Sequence, residues 1–344
     1  MAIKKGAQPV DINKRKVING EDADVIQLYP MRHEWAWQYY NASNANHWLP
    51  TEISMQLDIE QWKSDKIITP DERKAFETVL GFFTTADSIA ANNIVIATYR
   101  HITSPEIRMY LLRQAYEEAI HTHAYQYIVE SLGMDAPKIF NMYRENMSIY
   151  KKASFILNFN DGIFDKDFKT GTFESDQKFL ENQCIASLIL EGIFFYSSFA
   201  VVFGFQRQGK LTGSAEQIQY IMRDESMHLN FGCQLINSIR EEQPELWTPE
   251  FQEKIIGYVK EAAFLEYTYA QEVFPTGIFG MNATGFKQYI EHIADRRLER
   301  VGLPKQFNVE NPFPWMSEAI DLPKEKNFFE TRVTEYKVGG ALNW

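Results

Sequence analysis

Residues 118–125 read Glu118-Ala-Ile-His121-Thr-His-Ala-Tyr125, and residues 225–228 read Glu225-Ser-Met-His228. Side chains three apart share one face of an α-helix, so each Glu-x-x-His can aim a carboxylate oxygen and an imidazole nitrogen at the same point. Tyr125 follows His121 by four residues and Glu118 by seven, which puts the phenol on that same face. The chain has seven histidines, and only these two carry Glu three residues earlier. Acidic residues number 46 in 344, so a chance match or two is ordinary and the spacing alone is weak. Context strengthens it. Both pairs lie in mid-helix on faces that are otherwise apolar, with Leu111, Leu112 and Tyr125 around the first and Ile221 and Leu229 around the second.

Two further acids sit in apolar helical stretches without a basic residue inside one turn. They are Asp87 in Gly81-Phe-Phe-Thr-Thr-Ala-Asp87-Ser and Glu191 in Leu188-Ile-Leu-Glu191-Gly-Ile-Phe-Phe. An unpartnered buried carboxylate costs several kcal/mol, so a chain that repeats the arrangement four times needs compensating cations. Four acids and two imidazoles on four helices match the dimetal site of ferritin-like bundles, in which two helices give one acid each and two give Glu-x-x-His. Oxygen and imidazole donors suit iron or manganese, and four negative charges balance two divalent ions.

The punctuation agrees with a helical bundle. Thr69-Pro70 opens a helix expected to run to about Thr103, and Ser104-Pro105 opens the next, ending at Gly133. Further helices are expected from near Glu174 to Gly204, from Ser214 to Glu242, from Thr248-Pro249 to Phe274 and from Asn282 to Gly302, with a connection at about 155–172. No strand pattern of similar strength is present. The expected fold is all-α in one domain, with an aromatic-rich N-terminal arm over 1–65, the bundle over 66–310 and a flexible C-terminal tail over 311–344.

Composition narrows the partners. A formal net charge of -11, with no basic stripe, repels a phosphate backbone and argues against nucleic acid. Cys184 and Cys233 are the only cysteines and form no C-x-x-C pair, which fits a reducing cytoplasm. No apolar run approaches the roughly 20 residues that span a bilayer, and residues 1–16 lack the apolar core of a signal peptide. A soluble cytoplasmic protein is expected, without a membrane partner.

From about Trp35 to the C-terminus these residues resemble the small subunit of class I ribonucleotide reductase. The resemblance implies that Asp87, Glu118, His121, Glu191, Glu225 and His228 are the six metal ligands and that Tyr125 is the radical-bearing tyrosine, activated by O2 at the metals. It implies an apolar sleeve from Phe195 and Phe199, and a relay for the oxidising equivalent through His121, Asp224 and Trp48 to Tyr336 in the tail. Tyr220 stands where some relatives carry an auxiliary redox tyrosine. The stretches Trp48–Glu52, Thr85–Val95 and 311–336 are similar to the chlamydial-type branch, where Phe replaces the radical tyrosine and a manganese-iron pair stores the oxidant. Tyr125 and Asp87 restore the ordinary pattern, so di-iron is the first expectation, with manganese-iron and dimanganese as alternatives.

The resemblance further implies a homodimer that works with a large catalytic subunit, reached through the apolar end Ala341-Leu-Asn-Trp344. The chain itself shows no Gly-rich phosphate cradle and no cysteine pair for nucleotide reduction. Three other readings remain at the level of residues: iron storage of ferritin type, a stand-alone dimetal oxidase or monooxygenase, and a metal-free helical scaffold. Length counts against the first, and the combination of Trp48, Asp224 and Tyr336 against the second.

Overall fold

The computed structural model describes residues 11–21, 26–273, 275 and 277–316. Two helices, α1 (Glu34–Ala45) and α2 (Gln56–Trp62), lie ahead of the main bundle. Helix α3 (Pro70–Asn92) starts at a reciprocal cap: Glu72 N donates to Thr69 Oγ1, and Thr69 N donates back to the Glu72 carboxylate at 2.9 Å. A π-helical stretch, Asn93–Thr98, extends it before Ser104 caps α4 (Pro105–Ser131). Short helices α5 (Ala136–Phe140) and α6 (Met142–Glu145) lead into α7 (Met147–Asn160).

A single rod follows, made of α8 (Phe173–Cys184), a π-helical stretch Ile185–Phe194 and α9 (Phe195–Arg207). Helices α10 (Thr212–Glu242), α11 (Pro249–Val273) and α12 (Ala283–Arg300) complete the bundle. Among the described residues there are two isolated β-bridges and no strand. The expectation that no apolar run approaches bilayer-spanning length is corrected: Pro70–His101 and Phe173–Arg207 are long and apolar enough to cross a membrane, but 67% and 94% of their most apolar windows are buried, because they are core rods of the bundle.

Burial explains the arrangement. Phe76, Phe82, Phe83, Phe179, Phe194 and Phe195 are all closed to solvent, and each buried apolar side chain of that size contributes about 1.5–3 kcal/mol. Helix α10 and the π stretch approach at backbone distance because residue 232 is Gly: a methyl there would overlap Ser187 Oγ. That contact brings Glu191 to the face of α10 that carries Glu225 and His228.

Two expectations need correction. The segment 155–172 is not a connection throughout, because α7 continues to Asn160. Its inward stripe, Ser148, Ile149, Lys152, Phe155 and Ile156, contains a lysine at a core position, which masks the apolar period. The N-terminal arm also holds more regular helix than its composition suggests, since α1 runs for 12 residues. Residues 313–316 fall in a unit separate from the bundle and are described by themselves: Met316 N donates to the Phe313 carbonyl at 2.9 Å. Tyr336 and the tail from Thr334 to Trp344 lie outside the described residues.

Candidate metal centre

Helices α3, α4 and α10 and the π stretch converge at the middle of the bundle, and each contributes the acids or imidazoles singled out above. Asp87, Glu118, His121 and Glu225 present ligand atoms within 4.8 Å of one another, and so do Glu118, Glu191, Glu225 and His228. Glu118 and Glu225 belong to both groups. His121 Nδ1 lies 3.7 Å from Glu118 and 3.1 Å from Glu225, while His228 Nδ1 lies 3.2 Å from Glu118 and 3.4 Å from Glu225. Asp87 stands on the His121 side at 3.9 Å. Glu191 stands on the other, where Gln114 Nε2 donates to its Oε1 at 2.9 Å.

This cluster does not satisfy itself. Both oxygens of Asp87, Glu118 and Glu225 and the Nδ1 atoms of His121 and His228 are buried without a hydrogen-bond partner. Burial, then the Glu118 charge, push the Asp87 carboxyl well above the usual range, and burial pushes Glu191 up in the same way with Glu225 and Glu118 adding to it. Burial opposes a proton on His121 and His228, yet the surrounding carboxylates raise both well above an ordinary imidazole. Cations at the centre remove both conflicts, and two divalent ions fit the donor set of four acids and two imidazoles.

The π-helical turn serves this geometry. Its wider spacing rotates residues after Ile185 relative to an α-helix, and Glu191 emerges from it toward the cluster.

Fold and centre together match a known group of proteins. A family model described as ribonucleotide reductase, small chain, matches residues 25–312. The chain belongs to the ribonucleotide reductase small-chain family. It is 51% identical to a ribonucleoside-diphosphate reductase subunit beta of Chlamydia pneumoniae, over 97% of this chain and 96% of that one. It is 31% identical to ribonucleoside-diphosphate reductase subunit M2 of Homo sapiens, over 92% of this chain and 76% of that one. The solved ribonucleotide reductase R2 subunit of Clostridium botulinum superposes with a TM-score of 0.81 at 27% identity, covering 93% of this chain and 98% of that one. A dimanganese(II)-NrdF of Streptococcus sanguinis shares the fold, with a TM-score of 0.73 at 22% identity over 86% of this chain and 99% of that one. This ribonucleotide reductase small chain is therefore the beta subunit of a ribonucleoside-diphosphate reductase, on the ferritin-like helical fold.

Around the centre of this small chain, Tyr125 is fully buried and its hydroxyl faces Asp87 without a well-formed hydrogen bond. Burial first, then the Asp87 and Glu225 charges, raise its phenol well above the ordinary tyrosine range. Phe83 stacks on it at 5.3 Å with planes 8° apart. Phe195 and Phe199 pack against Phe83, with ring centroids 6.0 and 5.4 Å from its own. Phe83 was not among the residues singled out from the sequence, although its position four residues before Asp87 puts it on the Asp87 face of α3.

Trp48 Nε1 donates to Asp224 Oδ2 at 2.8 Å, and His121 Nε2 stands 3.3 Å from the same oxygen. Burial opposes the charge on Asp224, but His121, Arg223 and Trp48 outweigh it and hold the carboxyl below its usual range. Tyr220 stacks on Trp48 at 5.3 Å. Tyr336 lies outside the described residues. Sequence reading also passed over Gln114 and Glu117, which face Glu191 and His228. Each is a polar residue within one turn of Glu118, the one signal that could have found them.

Proposed function

We propose that the six residues Asp87, Glu118, His121, Glu191, Glu225 and His228 hold two metal ions, and that Tyr125 carries the radical this beta subunit passes to a large subunit for reduction of ribonucleotides to deoxyribonucleotides. The observation that carries the proposal is the set of orphaned carboxylate and imidazole atoms closed to solvent beside a buried phenol. Asp87 and His121 would serve one ion and Glu191 and His228 the other, while Glu118 and Glu225 belong to both ligand groups. When bound, the ions supply O2 activation and the oxidising power for the phenol; iron in both positions is the favoured content, with manganese-iron and dimanganese compatible with the same donors.

The chain's own residues do the rest. Oxidation of Tyr125 would remove one electron, which the bound ions would accept, and the phenolic proton, for which the Asp87 carboxylate facing the hydroxyl is the acceptor. Phe83, Phe195 and Phe199 exclude water and external reductants from the ring. The hydrogen-bonded series His121, Asp224, Trp48 carries the oxidising equivalent outward, and Tyr336 takes it to the large subunit. Residues 311–344 act as the docking tail, with Leu342 and Trp344 as apolar anchors. The subunit works as a homodimer in the cytoplasm, where Cys184 and Cys233 stay free thiols.

A stand-alone dimetal oxidase would keep the ligands but has no use for the Trp48–Asp224–His121 series. Metal quantification with electron paramagnetic resonance on protein matured with O2 tests the proposal: two ions per chain and a tyrosyl signal are expected. Protein that retains fewer than two ions after maturation, in a folded state, contradicts it.

A further inference from the structure

Each metal-side histidine hands its outer nitrogen to an acid, and the two acids occupy the same register. His121 Nε2 stands 3.3 Å from Asp224, and His228 Nε2 stands 3.0 Å from Glu117. Asp224 immediately precedes Glu225, and Glu117 immediately precedes Glu118, so α4 and α10 both read acid-Glu-x-x-His. The leading acid of one helix therefore serves the histidine of the other.

The outer ends differ. Asp224 continues to the Trp48 indole, an oxidisable ring. Glu117 meets Arg113, one turn earlier on α4, in an ion pair of 3.2 Å, and Arg113 also donates to the Ser43 carbonyl of α1 at 3.1 Å. Glu117 is 1% exposed and His228 is closed to solvent. A guanidinium does not take part in electron transfer under these conditions and stays charged, so this series ends in a fixed ion pair and is built for position.

We propose that Glu117, held by Arg113, is the positioning residue of the His228 half of the centre and selectively sets the affinity of that half for its ion. A neutral imidazole has one lone pair. A buried carboxylate at Nε2 keeps the proton there, which leaves the lone pair on Nδ1, and Nδ1 is the atom that faces Glu118 and Glu225. Arg113, 3.2 Å from Glu117, holds that carboxylate in one rotamer against the His228 ring. Asp224 plays the matching part for His121, so the chain can adjust its two ion sites independently of each other. The inference rests on the dimetal reading above.

The test uses full-length metal-free protein titrated with Mn(II) by equilibrium dialysis, with free Mn(II) read by electron paramagnetic resonance. Wild type is expected to bind two ions. Glu117→Gln should weaken one of them by about 10- to 100-fold and leave the other unchanged. Asp224→Asn should weaken the other one. In a Glu191→Ala background, where the His228-side ion is already lost, Glu117→Gln should change nothing for the ion that remains. If Glu117→Gln does not fold, Glu117→Asp keeps the charge on a shorter stem and should show a smaller loss at the same ion. Equal weakening of both ions, or of neither, overturns the positioning role. Wild type that binds no pair of ions overturns the dimetal reading itself.

Discussion

Lys152 Nζ and Glu266 Oε1 lie 2.5 Å apart with both side chains closed to solvent, joining α7 to α11 beside the aromatic core. The ammonium stands over the rings of Phe82 at 3.3 Å and Tyr269 at 4.1 Å. Burial lowers Lys152 to about 8 and raises Glu266 above the usual carboxylate range, against the attraction each exerts on the other. Desolvation therefore outweighs the ion pair on both partners, which fixes the sign of a mutational test. Lys152→Met alone should destabilise the fold by about 3–5 kcal/mol, because it strands a buried carboxylate. Lys152→Met with Glu266→Met should recover most of that loss. Urea unfolding of the three metal-free proteins measures it, and a double variant as unstable as the single one would show that the pair itself holds the helices together.

Tyr125→Phe should abolish the tyrosyl signal and activity with the large subunit while two ions remain bound. The substitution removes one oxygen that makes no well-formed hydrogen bond, so packing against Phe83 is kept. An undiminished radical spectrum in the variant would assign the oxidant to another residue.

Truncation after Thr334 removes residues 335–344, Tyr336 included. Activity with the large subunit should fall to background, while metal content, O2 consumption and the Tyr125 signal stay at wild-type levels. Loss of O2 consumption instead would give the tail a role at the metal centre.

His101 gives the stability curve an acid limb. Burial, and then the Arg100 charge, lower its imidazole from 6.5 to about 4, and Arg100 Nε donates to its Nε2 at 3.0 Å. Between those two values the unfolded chain binds a proton that the folded chain does not. The stability from this group is thus complete above pH 6.5 and is lost as pH falls towards 4. In His101→Gln, which keeps an acceptor but has no proton to gain, the denaturant midpoint should fall less over that range. Parallel midpoint curves for the two proteins would rule out His101 as the source.

The amino-acid sequence by itself determined what one helix can carry. The offsets from Glu118 to His121 and Tyr125, and from Glu225 to His228, are set by the 3.6-residue period, and Thr69-Pro70 and Ser104-Pro105 place helix starts through local hydrogen bonds. The all-α class and the candidate ligands were legible for that reason. Relations between helices were not, because they depend on crossing angles and on close approaches such as Gly232 against Ser187. Only the tertiary structure decided that Phe83 stacks on Tyr125, that His228 turns to Glu117, and that a lysine in α7 is buried against Glu266. Each of these joins side chains on different elements, and no spacing along the chain encodes the distance between two packed helices.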